Sequence, residues 1–185
     1  MESILKAIQN GQLIAEAGVV ISNRSDALGL EKARLFGVQT VVIDDRHFSS
    51  KDSYETELVR CLMEHQVDWV VLAGYMKLLG PTVLSAFDRK ILNIHPSLLP
   101  AFKGLNAQTQ ALEYGVKWSG CTVHLVSEGM DDGPIILQAV VPVLSTDTSE
   151  SLSERILEQE HIIYSQAIQL AVDGALLVEG RIVHH

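Results

Sequence analysis

Four short apolar runs, rich in β-branched residues, alternate with segments of helical periodicity along the first half of the chain. The runs occupy residues 18–23, 38–43, 68–74 and 90–95, and polar or turn-forming residues follow each of them. Strands that alternate with helices pair in a parallel sheet that helices cover on both faces. The sequence therefore predicts an α/β fold with a mostly parallel sheet. Its 185 residues fit a single domain, residues 1–185.

Two helix starts carry capping signals. Asp26 is placed to cap a helix that runs to about Phe36. A longer helix is predicted over residues 148–173, where Ser151 and Glu154 have the spacing of a capping box. In both cases we expect the capping side chain to accept a hydrogen bond from an otherwise unpaired backbone N–H group in the first turn of the helix.

Charge, hydropathy and cysteine usage limit the kinds of molecule to which the protein is expected to bind. The net charge of −9 argues against a nucleic-acid or anionic-membrane surface, and no apolar run approaches the roughly 20 residues of a membrane span. Cys61 and Cys121 are far apart in the sequence and have no neighbouring cysteine at metal-ligand spacing. This usage is typical of free thiols in a reducing compartment, so we expect a cytoplasmic protein that acts on small molecules.

The stretch "LNIHPSLLPAFKG" (residues 92–104) ends a predicted strand in a histidine that a proline follows at once. Asn93 and His95 are two residues apart, so an extended strand points both side chains to the same side, and Pro96 cannot continue the ladder. An asparagine amide can donate to a developing oxyanion, and a histidine can move a proton near neutral pH. No nucleophile elbow surrounds Ser97. If the chemistry is acyl transfer, the attacking group is expected to belong to the substrate.

A histidine base usually needs an orienting carboxylate, and Asp131 in "SEGMDDGP" is the best candidate. Other interpretations stay open for each of these residues. The "DDGP" segment also has the composition of a plain hairpin turn, and His124 in "CTVHLV" suits a hydrogen-bonded core histidine. A strand-end His95 is often structural. A zinc site from His95, His124 and Asp131 matches no common ligand spacing, so no metal is predicted.

Four motifs together carry a family resemblance: "NIHPSLLPAFKG", "QALEYGVKWSGCTVH", "DDGPIILQAVVPV" and "EQEH". They resemble the folate-dependent glycinamide ribonucleotide formyltransferases (phosphoribosylglycinamide formyltransferases) of purine biosynthesis, over about residues 1–181. The related 10-formyltetrahydrofolate hydrolases usually have a second histidine where Pro96 stands and carry an extra N-terminal domain, and the methionyl-tRNA enzymes are much longer. The resemblance implies a Rossmann-like formyltransferase fold and transfer of the formyl group of 10-formyltetrahydrofolate to the amine of glycinamide ribonucleotide.

The resemblance also implies roles for individual residues. Asn93, His95 and Asp131 match the catalytic trio of the family, and no metal or nucleotide cofactor is implied. A homodimer is left open. The residues expected to bind 10-formyltetrahydrofolate are Lys51, Met76, Lys77, Leu79, Leu84, Asn93, Val126, Ser127 and Asp131. Those expected at the ribonucleotide are Gly74, Met76 and Glu160, and those expected to support the site are Ser97, Gly104, Thr122 and His124.

The start of the chain departs from the family pattern. The family begins with a strand and an S-G-N-G-S-N loop, whose N–H groups bind the substrate phosphate at a helix N-terminus; here the chain opens on the helix "MESILKAI". The missing strand would be central, between the strands at Val19 and Val70, and we expect unpaired backbone groups on both sides of the gap. Either the natural protein is longer and Met1 is internal, or the chain is a weak or inactive enzyme. Hydrolysis of 10-formyltetrahydrofolate, or folate binding with little turnover, are the alternative functions.

Overall fold

The computed structural model describes all residues, 1–185, as alternating helices and strands followed by a hairpin. The helices are α1 (Glu2–Gln9), α2 (Leu28–Leu35), α3 (Lys51–Glu64), α4 (Pro81–Ala86), α5 (Ala107–Tyr114) and α6 (Ser149–Val172), with a short 3-10 turn at Asp45–His47. The strands are β1 (Val20–Ser22), β2 (Thr40–Val42), β3 (Val70–Val71), β4 (Ile91–His95), β5 (Trp118–Leu125), β6 (Ile135–Pro142), β7 (Leu177–Glu179) and β8 (Ile182–His184).

The strands form three sheets. β1 pairs with β2 in parallel, and a second sheet has the order β3-β4-β5-β6. Within it, β3 and β4 are parallel, whereas β4–β5 and β5–β6 are antiparallel. β7 and β8 form an antiparallel hairpin. The predicted α/β fold with a parallel sheet and helices is confirmed. The parallel strands are divided between two sheets, β1 with β2 and β3 with β4, because β1 does not pair with β3.

Helices cover both faces of β4. Ile91 packs in a buried cluster with Leu62 of α3 and Val83 of α4. The next residue, Leu92, lies in the larger core cluster that contains Ile163 of α6. Because successive side chains of a strand point to opposite faces, Asn93 and His95 continue the face of Ile91. Ile91 and Leu92 thus fix the start of β4 between two layers of helix, and Asn93 and His95 follow them along the strand.

Both predicted caps are wrong in detail. Asp26 forms a bidentate pair with Arg24, with N···O distances of 2.9 and 2.7 Å, so its carboxylate is engaged and α2 begins at Leu28 without a side-chain cap. At α6 the capping box lies one turn earlier than predicted. The Thr148 hydroxyl accepts a hydrogen bond from the Ser151 N–H at 3.2 Å, and the Ser151 hydroxyl accepts one from the Thr148 N–H at 3.0 Å.

None of the six helices combines the length and apolar character that crossing a membrane requires. Cys61 and Cys121 are both free and buried, Cys121 within the core beneath α6. Burial raises the pKa of the Cys121 thiol to about 12. Both cysteines therefore act as core residues.

Candidate active site

The loop after β4 is held in place by two buried hydroxyl groups. The Thr122 hydroxyl of β5 donates to the carbonyl oxygen of Ser97 at 2.7 Å and accepts from the Leu99 N–H at 3.0 Å. The Ser97 hydroxyl donates to the Ala101 carbonyl at 2.5 Å. Both side chains are fully buried. The two predicted supporting residues therefore fix the path of the chain directly after His95, and the Ser97 hydroxyl is already engaged.

His95 is buried, and each of its ring nitrogens faces an oxygen. Nε2 lies 2.8 Å from the carbonyl oxygen of Phe102, and Nδ1 lies 3.3 Å from a carboxylate oxygen of Asp131. A carbonyl and an ionised carboxylate only accept hydrogen bonds, so the doubly protonated ring satisfies both contacts. The Nδ1 contact is longer than the 2.7–2.9 Å of a typical charge-assisted bond, so Nδ1 is the less tightly held nitrogen.

Asp131 is held by backbone as well as by side chains. The Gly104 N–H donates to Asp131 Oδ2 at 2.9 Å, and Gly104 has a φ of +79°, a conformation that favours glycine. Burial acts to raise the pKa of the Asp131 carboxyl, but the hydrogen bond from the Gly104 N–H and the neighbouring ring of His95 outweigh burial and hold that pKa below its ordinary value. The carboxylate is thus ionised at neutral pH beside His95.

Asn93 and His124 face each other in register across β4 and β5. Asn93 Nδ2 lies 3.2 Å from His124 Nε2, and His124 Nδ1 lies 2.8 Å from the carbonyl oxygen of Leu125. Since the carbonyl needs a donor, Nδ1 carries the proton and Nε2 accepts from the Asn93 amide. His124 is therefore a hydrogen-bonded core histidine that orients Asn93, and the second amide N–H of Asn93 has no protein partner.

The four side chains form one connected cluster. His124 Nε2 lies 3.7 Å from Asp131 Oδ1, so contacts run from Asn93 through His124 and Asp131 to His95. The structure contains no group of three or more histidine, cysteine, aspartate or glutamate side chains placed to bind a metal ion. The structure brings the three residues of the predicted trio together with His124, and the turn that contains Asp131 reaches over the end of β4.

The lowered pKa of Asp131 has a consequence for stability. An ionised carboxylate that the fold favours contributes stability above the ordinary aspartate pKa, about 3.9, and this contribution is lost as pH falls through the lowered pKa. We expect wild type to exceed Asp131→Asn in melting temperature by a few degrees at pH 6, with the difference shrinking below pH 4. Asp68→Asn, at an exposed residue without an ion pair, is the control. A difference that is constant with pH would contradict this assignment.

The charged residues expected at the folate lie around one end of α3. Lys77 forms an ion pair with Asp45, and its Nζ lies 5.8 Å from the centroid of the Tyr54 ring. Lys51, the first residue of α3, has its Nζ 3.6 Å from a carboxylate oxygen of Glu55. Both lysine side chains remain about half exposed. Each lysine is thus paired with a carboxylate and still open to solvent.

The apolar residues expected at the folate share one cluster. Leu79 is buried in the cluster that contains Ile91, and Leu84 and Val126 pack against its edge. Leu84 and Val126 thus form an apolar wall, and Leu79 supports this wall from within the cluster. Met76 is 74% exposed. Val126 leads directly to half-buried Ser127 and on to Asp131, and its N–H donates to the Ile91 carbonyl at 2.9 Å, so this wall adjoins the cluster around His95.

A polar cavity of about 590 Å³ lies at the carboxyl ends of β1 and β2. Its lining includes Asn23, Arg24 and Lys77. Asn23 donates to Asp45 at 2.8 Å, and each basic side chain of the cavity is paired with a neighbouring aspartate. Residues that follow the strands thus line a cavity here, as expected of an α/β sheet. The positive and negative charges of its side chains largely balance.

The predicted ribonucleotide residues are divided between two places. Gly74, with a φ of +68°, and Met76 are exposed after β3. Glu160 is half-buried on α6, the helix that packs on the other face of β4, and burial raises the pKa of its carboxyl. The structure does not join Glu160 to the cluster around His95 by any hydrogen bond or ion pair.

Three groups that shape this site were not predicted from the sequence. Two are backbone carbonyls, those of Phe102 and Leu125, which fix the rings of His95 and His124. The third is Gln138, whose Nε2 donates to Thr122 at 2.9 Å and to the Leu99 carbonyl at 3.1 Å. Gln138 lies opposite Thr122 in the β5–β6 register. A polar residue in each of two largely apolar strands was the sequence signal that could have indicated this contact.

Comparisons with known proteins agree on one group of enzymes. The formyl transferase family matches residues 1–168. Phosphoribosylglycinamide formyltransferase of Escherichia coli (strain K12) is 40% identical over 176 residues, which is 95% of this chain and 83% of that protein. The crystal structure of glycinamide ribonucleotide transformylase 1 from Symbiobacterium toebii superimposes with a TM-score of 0.97 at 52% identity, covering 99% of this chain and 86% of that one.

Other relatives are far longer than this chain. Trifunctional purine biosynthetic protein adenosine-3 of Gallus gallus is 43% identical over 178 residues, which is 96% of this chain but only 18% of that protein. The chain thus spans under a fifth of that relative's length.

Proposed function

Because this chain belongs to the formyl transferase family, we propose that it transfers the formyl group of 10-formyltetrahydrofolate to the amine of glycinamide ribonucleotide. The observation that carries this proposal is the connected cluster of Asn93, His124, Asp131 and His95 at the carboxyl end of β4. Its donors suit an acyl transfer in which the attacking group is supplied by the substrate. The Ser97 hydroxyl, the nearest nucleophile in sequence, is committed to the Ala101 carbonyl.

In the proposed reaction the amine attacks the formyl carbon, and the carbonyl electron pair moves onto oxygen. The free amide N–H of Asn93 donates to this oxygen. Its orientation is set before substrate binds, because His124 holds the other N–H. Donors that are oriented in advance towards a developing charge are a large source of catalysis. The tetrahedral intermediate is therefore assigned to the end of β4.

His95 and Asp131 serve the proton transfers. Collapse of the intermediate breaks the bond to the folate nitrogen, which gains a proton, while the attacking nitrogen loses one. Protonated His95 supplies positive charge and a proton at this point, and Nδ1 is the nitrogen that reaches out, since Nε2 is held at 2.8 Å by the Phe102 carbonyl. The ionised Asp131 faces Nδ1 at 3.3 Å and fixes the orientation of the ring.

The folate is proposed to lie against the wall formed by Leu84, Val126 and Ser127, with Met76 at its edge, and Leu79 supports that wall. Lys77 and Lys51 are assigned to the carboxylates of the glutamate tail, because both side chains are about half exposed close to the first turn of α3. Gly74, Met76 and Glu160 are assigned to the ribonucleotide; Glu160 would contact ribose hydroxyls.

Lys77→Met is expected to raise KM for 10-formyltetrahydrofolate by about tenfold and to leave kcat nearly unchanged, since the tail binds away from the reacting atoms. Lys90→Met, an equal loss of charge at an exposed residue before β4, is the matched control. With 10-formyltetrahydropteroate, which has no glutamate tail, the effect should vanish. An effect of Lys77→Met that persists with this substrate would contradict the assignment.

The proposal is tested by following tetrahydrofolate release spectroscopically with and without glycinamide ribonucleotide. Transfer predicts release that requires the ribonucleotide and that slows by at least about 10²-fold in His95→Ala. Release at the same rate without the ribonucleotide would instead identify a hydrolase. Binding of 10-formyltetrahydrofolate with no release in either case would identify a folate-binding protein.

A further inference from the structure

The loop between β4 and α5 places the groups that hold both ring nitrogens of His95. The Phe102 carbonyl oxygen lies 2.8 Å from Nε2, and the Gly104 N–H donates to Asp131, which faces Nδ1. Residues 102–105 lie outside every helix and strand, and their backbone makes no hydrogen bond to another backbone group. Backbone groups nearly always find partners, so the position of this segment depends on the side chains around it.

The backbone of the segment has an unusual conformation. Phe102, Gly104 and Asn106 have φ values of +53°, +79° and +57°, so every second residue lies in the left-handed region. Residues other than glycine seldom adopt this conformation, and they keep it where the surrounding structure holds them. The segment therefore needs contacts from outside to keep the shape that serves His95.

Gln110, which is half-buried on α5, supplies such contacts on both sides of Gly104. Its Nε2 lies 2.9 Å from the carbonyl oxygen of Leu105 and 3.3 Å from that of Lys103. Both carbonyls only accept hydrogen bonds, so the amide nitrogen with its two N–H groups faces them. One side chain thus connects two carbonyl groups of the loop to the helix that follows it.

The Lys103 carbonyl and the Gly104 N–H belong to one planar peptide group. Gln110 holds the carbonyl end of this peptide, and Asp131 Oδ2 accepts from its N–H end at 2.9 Å. Because the C=O and N–H of a trans peptide point in opposite directions, fixing one end fixes the direction of the other. We propose that Gln110 is a positioning residue, which orients this peptide and, through Asp131, the ring of His95. Its effect on the rate of formyl transfer rests on the proposed function, whereas its effect on the peptide does not.

Two substitutions separate the donors of Gln110 from its packing. Gln110→Met removes both donors and keeps the length of the side chain, and Gln110→Glu keeps its shape but places a carboxylate, which only accepts, before two carbonyl oxygens. We expect each variant to lower kcat by at least about tenfold, the scale of one neutral hydrogen bond, with KM nearly unchanged. Gln108→Met is the matched control, because Gln108 is half-buried on the same helix and its side chain makes no hydrogen bond.

NMR can follow the peptide itself. Lys103 and Gly104 form the one Lys-Gly pair of the chain, so labelling with carbonyl-¹³C lysine and ¹⁵N glycine leaves a single coupled signal. Both Gln110 variants should move its carbonyl and amide shifts, and Gln108→Met should leave them unchanged. In spectra of ¹⁵N-labelled histidine, the signals of His95 should move in the same two variants. Melting curves show whether each variant is folded.

The outcomes separate this inference from the proposed function. Unchanged Lys103–Gly104 or His95 signals in a folded Gln110 variant would overturn the inference. If the wild type transfers the formyl group, a kcat within about twofold of wild type in either Gln110 variant would also overturn it, because one lost hydrogen bond should cost more. If the wild type forms no formylglycinamide ribonucleotide, the proposed function fails, and the two sets of NMR signals alone decide whether Gln110 positions His95.

Discussion

His95→Ala is expected to lower kcat for formyl transfer by about 10²–10⁴-fold, the usual contribution of a positioned acid or base. The variant removes the only ring that Asp131 and the Phe102 carbonyl hold at the end of β4. The proton needed by the leaving folate nitrogen must then come from water. Steady-state kinetics with saturating substrates measure this loss directly.

His47→Ala is the matched control for His95→Ala, because His47 is exposed and makes no contact with the cluster. It should retain wild-type kinetics. Added imidazole should restore part of the activity of His95→Ala, since a small base can enter the space left by the ring. A rate for His95→Ala within about tenfold of wild type, well below the usual contribution of an acid or base, would remove His95 from the proton transfers.

Asn93→Ala is expected to lower kcat by about 10²–10³-fold, the typical cost of losing one oxyanion donor. KM should change little, because the donor acts where charge develops during the reaction. The variant also leaves His124 Nε2 without the amide that now donates to it at 3.2 Å. Melting curves must therefore accompany the kinetics, to separate a loss of folding from a loss of catalysis.

Asn10→Ala, at the exposed end of α1, is the control for the loss of an asparagine amide. We expect it to leave kcat unchanged. If folded Asn93→Ala turns over within about threefold of wild type, the oxyanion role of Asn93 is wrong, because one such donor normally contributes far more.

The placement of Asn93 and His95 could be predicted because it depends on local rules. Side chains two residues apart share a face of any strand, and Pro96 ends the ladder wherever the strand lies. Asp131 could be named from its loop, but its contact with His95 depends on the Gly104 N–H and on pairing between β4 and β5. The sequence therefore indicated the members of the cluster and left their distances open.

Other features depend on contacts that a single sequence does not reveal. The carbonyl of Phe102 could belong to any residue, and its role at His95 arises from the path of the loop. The cap expected at Asp26 failed because Arg24, two residues away, binds the same carboxylate. The antiparallel pairing of β4 with β5 joins distant segments, and the alternation of strands and helices earlier in the chain does not predict it.

The most direct test of the proposed function is to follow the fate of the formyl carbon. 10-Formyltetrahydrofolate labelled with ¹³C in the formyl group would be incubated with the protein and glycinamide ribonucleotide, and the products analysed by mass spectrometry and ¹³C NMR. We expect the label to appear as an amide in formylglycinamide ribonucleotide, in amounts equal to the tetrahydrofolate released. Label that appears as free formate, or that stays on the folate while the folate is bound, would contradict this expectation.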